Sequence, residues 1–282
     1  MPKITIGVPT YNRLNLLKIM SNSLYNSDLS ISPNIRIYDD CSTELTKETL
    51  ETIFPDAKTI KINSSNLKAD KNIYQMYVDF LTTDDDYFFN ADSDLIFNKH
   101  WLNLSLEYIK KTDGVLTIFN TIAHKPSSIV DDLFCLKDTI GSAGTLFKRD
   151  CIENMVNYFH SINMVKGFDW QWSKYFCDNN IKIYCLNNSL VQHIGYSGQH
   201  SLFYFDVGKG FKIETINDGQ IMNDILVDCI DSYKQKDYEI KKKLDLQNNS
   251  FLYNLSNCFK IVARKILPNF IKRKIKNIIK RK

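Results

Sequence analysis

Through its first hundred residues the chain alternates short β-branched or aromatic runs with stretches whose apolar residues recur every three or four positions. Residues 3–8 read as a strand, the run Pro9-Thr10-Tyr11-Asn12-Arg13 breaks it, and Leu14, Leu17, Met20 and Leu24 then keep helical spacing. Strand, polar loop and helix repeat. Residues 35–38 end on Asp39-Asp40-Cys41-Ser42-Thr43 before a helix over 44–54, 58–62 precede a helix over 70–81, and 87–90 form a fourth strand. Such alternation predicts an α/β architecture in which a mixed, mostly parallel sheet is flanked by helices and joined by right-handed crossovers.

Beyond residue 98 the pattern is less regular. Residues 99–112 predict an amphipathic helix with Trp101, Leu102, Leu104, Leu106 and Ile109 facing the core, and 115–119 a buried strand. Gly141-Ser142-Ala143-Gly144-Thr145-Leu146-Phe147 reads as a flexible turn entering a strand, 170–177 as a helix, and 181–185 as a further strand. Residues 220–246 are helical and highly charged. In the tail, Phe251, Leu255, Phe259, Val262 and Ile266, then Ile271, Ile275, Ile278 and Ile279, recur at three- and four-residue steps broken at Pro268, with bases between them. That pattern predicts two basic amphipathic helices. The expected division is an α/β domain over 1–205, its halves meeting between 98 and 99, a helical extension over 206–250, and the basic tail over 251–282.

Composition changes this picture in two ways. A chain of 282 residues with 44% hydrophobic and 12% aromatic content can bury a large core. The net charge of +4 conceals an asymmetry: ten of the 36 Lys and Arg, and none of the 32 Asp and Glu, fall in 251–282, so residues 1–250 carry a formal −6. A basic tail with a continuous apolar stripe fits an anionic membrane surface, or packing on the body or on a second subunit; nucleic acid needs no such stripe. The opening Met1-Pro2-Lys3 runs straight into a strand without an apolar leader, no apolar run approaches ~18 residues, and the seven cysteines are scattered without a CxxC pair. These features predict a cytoplasmic chain, peripheral at the inner face of the membrane.

Candidate chemistry sits where the strands stop. The aromatic run at 87–90 ends at Asp92-Ser93-Asp94, and two carboxylates at i and i+2 on a strand end are suited to share a hard divalent cation. Three strand ends, carrying Thr10 to Arg13, Asp39 with Asp40, and Asp92 with Asp94, open on the same edge of such a sheet, where ligands bind. Later, Gly167-Phe168-Asp169-Trp170-Gln171-Trp172 joins a carboxylate to two indoles that cannot share one helix face, so one Trp is expected in the core and one is free to stack on a sugar.

Pro9-Thr10-Tyr11-Asn12-Arg13, Tyr38-Asp39-Asp40-Cys41-Ser42-Thr43-Glu44, Asn66 through Asn72 and Asp92-Ser93-Asp94, in that order, resemble the motif series of family 2 glycosyltransferases with the GT-A fold. The resemblance covers the first hundred residues well and extends in weaker form to about 205. It implies transfer of a sugar, with inversion, from a nucleotide-diphosphate sugar, a UDP-sugar by preference, to a glycan or lipid-linked acceptor. It also implies that Pro9, Thr10, Tyr11, Asn12, Asp39 and Asn72 surround the nucleotide, that Arg13 lies near the phosphates, and that Asp92 and Ser93 support Asp94. Asp94 and the late His193 would hold Mn²⁺ or Mg²⁺, Asp169 would be the general base, and Trp170 and Trp172 would face the acceptor. Cys41 and Leu67 stand where the family usually has glycine, and Phe168 replaces the Glu that commonly precedes the base. A nucleotidyltransferase would open on a Gly-rich phosphate loop, absent from 9–13; a catalytically silent assembly subunit, or a homo-oligomer, remains compatible with the residues.

Overall fold

The computed structural model describes residues 2–163, 168–195 and 206–266. The chain enters through β1 (Ile4–Thr10), α1 (Leu14–Asn26), β2 (Asn34–Asp39), α2 (Lys47–Ile53), β3 (Thr59–Ile62), α3 (Lys68–Phe80) and β4 (Tyr87–Asn90). It continues through β5 (Leu95–Phe97), α4 (Trp101–Tyr108), β6 (Val115–Thr117), β7 (Pro126–Ile129), β8 (Phe134–Lys137), β9 (Thr145–Lys148) and α5 (Arg149–Ser161). The last elements are α6 (Phe168–Asp178), β10 (Ile183–Leu186), β11 (Val191–His193) and α7 (Ile216–Ile266). Nine strands form one mixed sheet in the order β3-β2-β1-β4-β9-β6-β10-β8-β7. The half built from β3, β2, β1 and β4 is parallel, as the strand-loop-helix alternation requires, and β9 is inserted antiparallel between β4 and β6.

Adjacent strand residues enter different apolar clusters, which identifies the two faces of the sheet. Phe89 and Leu146 join Ile4, Ile6, Val8 and Trp101 on one face, while Phe88 and Phe147 join Tyr77, Phe80 and Trp172 on the other. Each fully buried aromatic contributes ~3 kcal/mol of apolar transfer. Gly7 in β1 is required by this packing, because a Cβ there would stand 2.4 Å from the Phe88 ring.

The second half holds elements that periodicity did not reveal. β7, β8 and α5 had no sequence counterpart, and the expected strand over 181–185 is shifted to Ile183–Leu186. Short strands of three or four residues carry too few positions for a period to show, whereas α5 does keep helical spacing through Ile152, Met155, Val156 and Phe159. The boundary expected at 250 also falls inside a continuous helix, Ile216–Ile266, because nothing between 246 and 251 stops one: the residues Gln247, Asn248, Asn249 and Ser250 are polar but contain neither Gly nor Pro. The chain divides into two compact units, residues 1–226 and 227–282. No described helix is long and apolar enough to cross a membrane. The expected helix after Pro268 lies outside the described residues.

Candidate functional site

The loop after β1 is shaped by backbone strain. Asn12 and Arg13 both adopt left-handed φ, 56° and 62°, a conformation that Asn tolerates and Arg does not favour. Hydrogen bonds hold it there. The Asn12 amide N–H donates to Ser42 Oγ at 2.7 Å, and Asn12 Oδ1 accepts from the Thr43 amide at 2.9 Å, tying the loop after β1 to the loop after β2. Asp39 is fully buried and accepts from both the amide (2.9 Å) and the hydroxyl of Ser42, and burial raises its pKa. Asp40 accepts from the Leu67 amide at 2.7 Å and from Asn63 Nδ2 at 3.0 Å. Asn72 donates to the Tyr38 carbonyl and accepts from Asn63, both at 3.0 Å. Asn12, Asp39 and Asn72 therefore hold the loops in shape with their side chains. Thr10 Oγ1 is buried with no hydrogen-bond partner among the described residues, and Pro9 and Tyr11 stand half-buried beside it.

Cys41, in a position where glycine is usual, has φ 61°, and Lys68, next to Leu67, has φ 71°. The chain keeps the left-handed turns that glycine would favour and carries them with side chains.

The carboxylates converge through a pairing of two short strands. β5 and β11 are antiparallel with His193 opposite Leu95, and the Ile194 amide donates to the Asp94 carbonyl at 2.8 Å. That register sets the imidazole against the carboxylate: His193 Nε2 lies 3.1 Å from Asp94 Oδ1. Arg13 Nη1 reaches the other oxygen, Oδ2, at 2.6 Å. Gly195 admits this arrangement, since a Cβ there would meet Asp94 Oδ2 at 2.1 Å. Asp92 accepts from Asn90 Nδ2 at 2.8 Å and from Ser142 Oγ at 3.1 Å; Ser93 is buried between the two acids.

Electrostatics separates the two neighbouring acids. Burial, then the charge of Asp94, pushes Asp92 up to about 6. Burial would also raise Asp94, but His193 and Arg13 outweigh it and hold the carboxyl below the usual range. Burial alone would lower His193; Asp94, Asp92 and Asp206 reverse the sign and raise it to about 9. At neutral pH Asp94 is thus an anion between two cations. His193 Nδ1 is buried without a hydrogen-bond partner among the described residues.

Asp92, Ser142, His193 and Asp169 line one cavity of about 260 Å³, together with Thr121, His124, Lys137 and Asp206. Asp169 lies in the first turn of α6, whose seat is fixed by Trp172. Trp172 is fully buried, 5.2 Å from the Tyr77 ring and 5.9 Å from Phe147. It belongs to the core, which corrects its expected place at the acceptor. Trp170 is 63% exposed and lies 6.1 Å from the His124 ring, leaving it as the one indole able to stack on a ligand. His124, Lys137 and Asp206 were not singled out in sequence: each is an isolated polar residue in a stretch without a motif. His200 lies outside the described residues.

Asp94 and His193 fit a divalent cation that takes its remaining ligands from phosphate oxygens and water, the habit of Mg²⁺ and of Mn²⁺ in O-rich sites. Among the described residues no cluster of three or more His, Cys, Asp or Glu forms a cage of protein ligands.

Residues 5–133 match the family described as glycosyl transferase family 2. No curated protein matches. Among solved structures, S. aureus TarS 1–349 in complex with UDP-GlcNAc is similar with a TM-score of 0.52 and 17% identity, over 70% of this chain and 60% of that one. The S. aureus TarS crystal structure aligns with a TM-score of 0.50 and 18% identity over 67% of this chain and 36% of that one. Mannosyltransferase PcManGT from Pyrobaculum calidifontis, in complex with GDP-Man and Mn²⁺, aligns with a TM-score of 0.50 and 12% identity over 71% of this chain and 59% of that one. The chain therefore spans between about a third and three-fifths of these relatives, and the likeness is one of fold: GT-A.

Proposed function

From the premise that the chain belongs to glycosyl transferase family 2 through residues 5–133 and has a GT-A fold, we propose that it transfers a sugar from a nucleotide-diphosphate sugar to a glycan or lipid-linked acceptor, with inversion at the anomeric carbon. The observation that carries this reading is the single cavity in which Asp169 shares walls with Asp92 and with His193, itself on Asp94. Inversion in one displacement requires a base on the acceptor side of the donor, and a cavity bounded by both groups provides it. A bound Mn²⁺ or Mg²⁺, held by Asp94 and His193, would neutralise the leaving diphosphate. Thr10 and Tyr11 face the nucleotide, and Arg13 exchanges Asp94 for the phosphates as they arrive. Asp169 takes the proton of the acceptor hydroxyl, with Trp170 beside it as a stacking surface. A UDP-sugar is the donor we favour, in keeping with the UDP-GlcNAc complex of TarS.

The test is turnover of a panel of UDP- and GDP-sugars with and without Mn²⁺, with the anomer of the product read by NMR. Release of sugar with retained configuration, or binding without turnover of every donor, would remove the inverting-enzyme reading. We assign the basic segment 251–282 to an anionic membrane surface, which places the enzyme peripherally on the cytoplasmic side. Its association with anionic vesicles should weaken with salt, since each Lys or Arg contributes ~1 kcal/mol in a screened field.

A further inference from the structure

Lys137 ends β8 inside the cavity wall and is 3% exposed. Lysines are almost never so buried unless paired, because an ammonium taken from water without a counter-charge costs several kcal/mol. Here the Nζ donates to the Thr121 carbonyl at 3.3 Å and lies beside the Cys185 and Cys135 thiols. No Asp or Glu comes within 4.0 Å of it among the described residues. Residues 164–167, 196–205 and 267–282 contain no Asp or Glu in their sequence, so they hold no acid to supply. The carboxylates that share the cavity are engaged elsewhere: Asp92 with Asn90 and Ser142, and Asp206 with the Thr121 hydroxyl. Asp169 accepts from the Trp170 amide at 2.8 Å, and the base role requires its carboxylate for the acceptor. The nearest internal group able to answer it is the Cys135 thiol, drawn down to about 6 by a hydrogen bond from Cys185 and then by the Lys137 charge.

We propose that Lys137 receives an oxyanion carried by the sugar that enters this cavity, a carboxylate or phosphate group, and so selects an acidic sugar over its neutral counterpart. The inference rests on the transferase reading, and adds to it the substrate's charge. Three carboxylates line the same cavity and its other cation, His193, is held by Asp94, so Lys137 specifies where on the sugar the acid sits as well as its presence. The oxyanion belongs either to the donor sugar or to the acceptor, and the two sources separate by experiment.

Dissociation constants are measured by calorimetry on the full-length protein with Mn²⁺. One arm compares UDP-glucuronate with UDP-glucose. The other compares glucuronate and glucose 6-phosphate with glucose, by ligand-observed NMR, with and without UDP. An acidic probe should bind about tenfold tighter than its neutral counterpart, the worth of one charge-assisted hydrogen bond. A preference in the first arm assigns the acid to the donor; a preference only in the second assigns it to the acceptor. Lys137→Met should erase the preference while UDP binds as before, and Lys137→Arg should retain it even if the Met variant fails to fold. Cys135→Ser, which removes the internal group nearest to neutralising Lys137, should leave the preference in place. Equal binding of acidic and neutral probes in both arms, or a preference that survives in a folded Lys137→Met protein, would overturn the proposal. Loss of UDP binding itself would count against the transferase reading and leave the free-sugar arm to judge Lys137.

Discussion

The loops after β1 and β2, and Asp94 with the cavity that its partner His193 lines, are built from the same residue types and handle them oppositely. In the first region Asn12, Asp39, Asp40 and Asn72 spend their polar atoms on neighbouring loops. In the second, His193 Nδ1 and Lys137 are buried with little or nothing to satisfy them, and Asp94 holds two cations at once. Buried polar groups are ordinarily satisfied, so side chains spent on neighbouring loops act as framework, whereas the second region leaves polar atoms that a ligand could engage. Sequence motifs do not distinguish the two kinds. Geometry does.

Substitutions sharpen this contrast. The largest effect belongs to Asp169→Asn, which should lower transfer by ~10² to 10⁴ with donor affinity nearly unchanged, in assays of turnover and calorimetric binding run on one preparation. Unchanged turnover would return Asp169 to the helix start as a structural residue. Asp94→Asn should abolish Mn²⁺-dependent donor binding and also cost about 3 kcal/mol in urea unfolding, because it strands the half-buried His193 cation and removes the carboxylate that Arg13 holds. An Asn variant as stable as the parent would show that those contacts are dispensable.

The pH dependence follows from His193. Its pKa is raised to about 9 from an unfolded value near 6.5, so its contribution is fully present below ~6.5 and is lost as pH rises through 9. Ligand-free protein should therefore lose up to ~3 kcal/mol of stability over that interval, and His193→Gln should flatten the curve. Mn²⁺ affinity should move the other way, increasing with pH, because the metal requires the neutral ring. In the satisfied region effects are smaller. Asn12→Ala should cost ~1 to 2 kcal/mol in unfolding, through three loop hydrogen bonds. Cys41→Gly should gain ~1 kcal/mol by relieving the left-handed φ of 61°.

Much of the parallel half was legible in the sequence. β1, β2 and β3 are each followed by a helix, and the strand at 87–90 was placed to the residue. The grouping of Asp94 with His193 was implied by resemblance, but its cause was not visible: β5 and β11 are three residues each, with 93 residues between them, and only their register opposes the two side chains. Arg13 was expected near the phosphates, and its Nη1 lies 2.6 Å from Asp94 Oδ2, a pairing that no motif spacing announces. One of the two indoles was expected in the core from helical spacing alone, and burial identifies it as Trp172. Lys137 escaped notice because a lysine in a four-residue strand announces neither burial nor an absent partner.

The place of β9 has a consequence for synthesis of the chain. β4 and β6 are bridged only through β9, which pairs with both. Until residues 145–148 leave the ribosome, the apolar flank of Phe88 and Phe89 has no neighbour on that side, although β1 has long been available on the other. At ~5 to 20 residues per second, the roughly 58 residues between β4 and the end of β9 leave that edge open for ~3 to 12 s. An open, aromatic strand edge is a template for pairing with another nascent chain. Holdase chaperones should accordingly engage this protein from the time residue 90 emerges from the ribosome and release it once residue 148 has emerged and β9 has closed the gap.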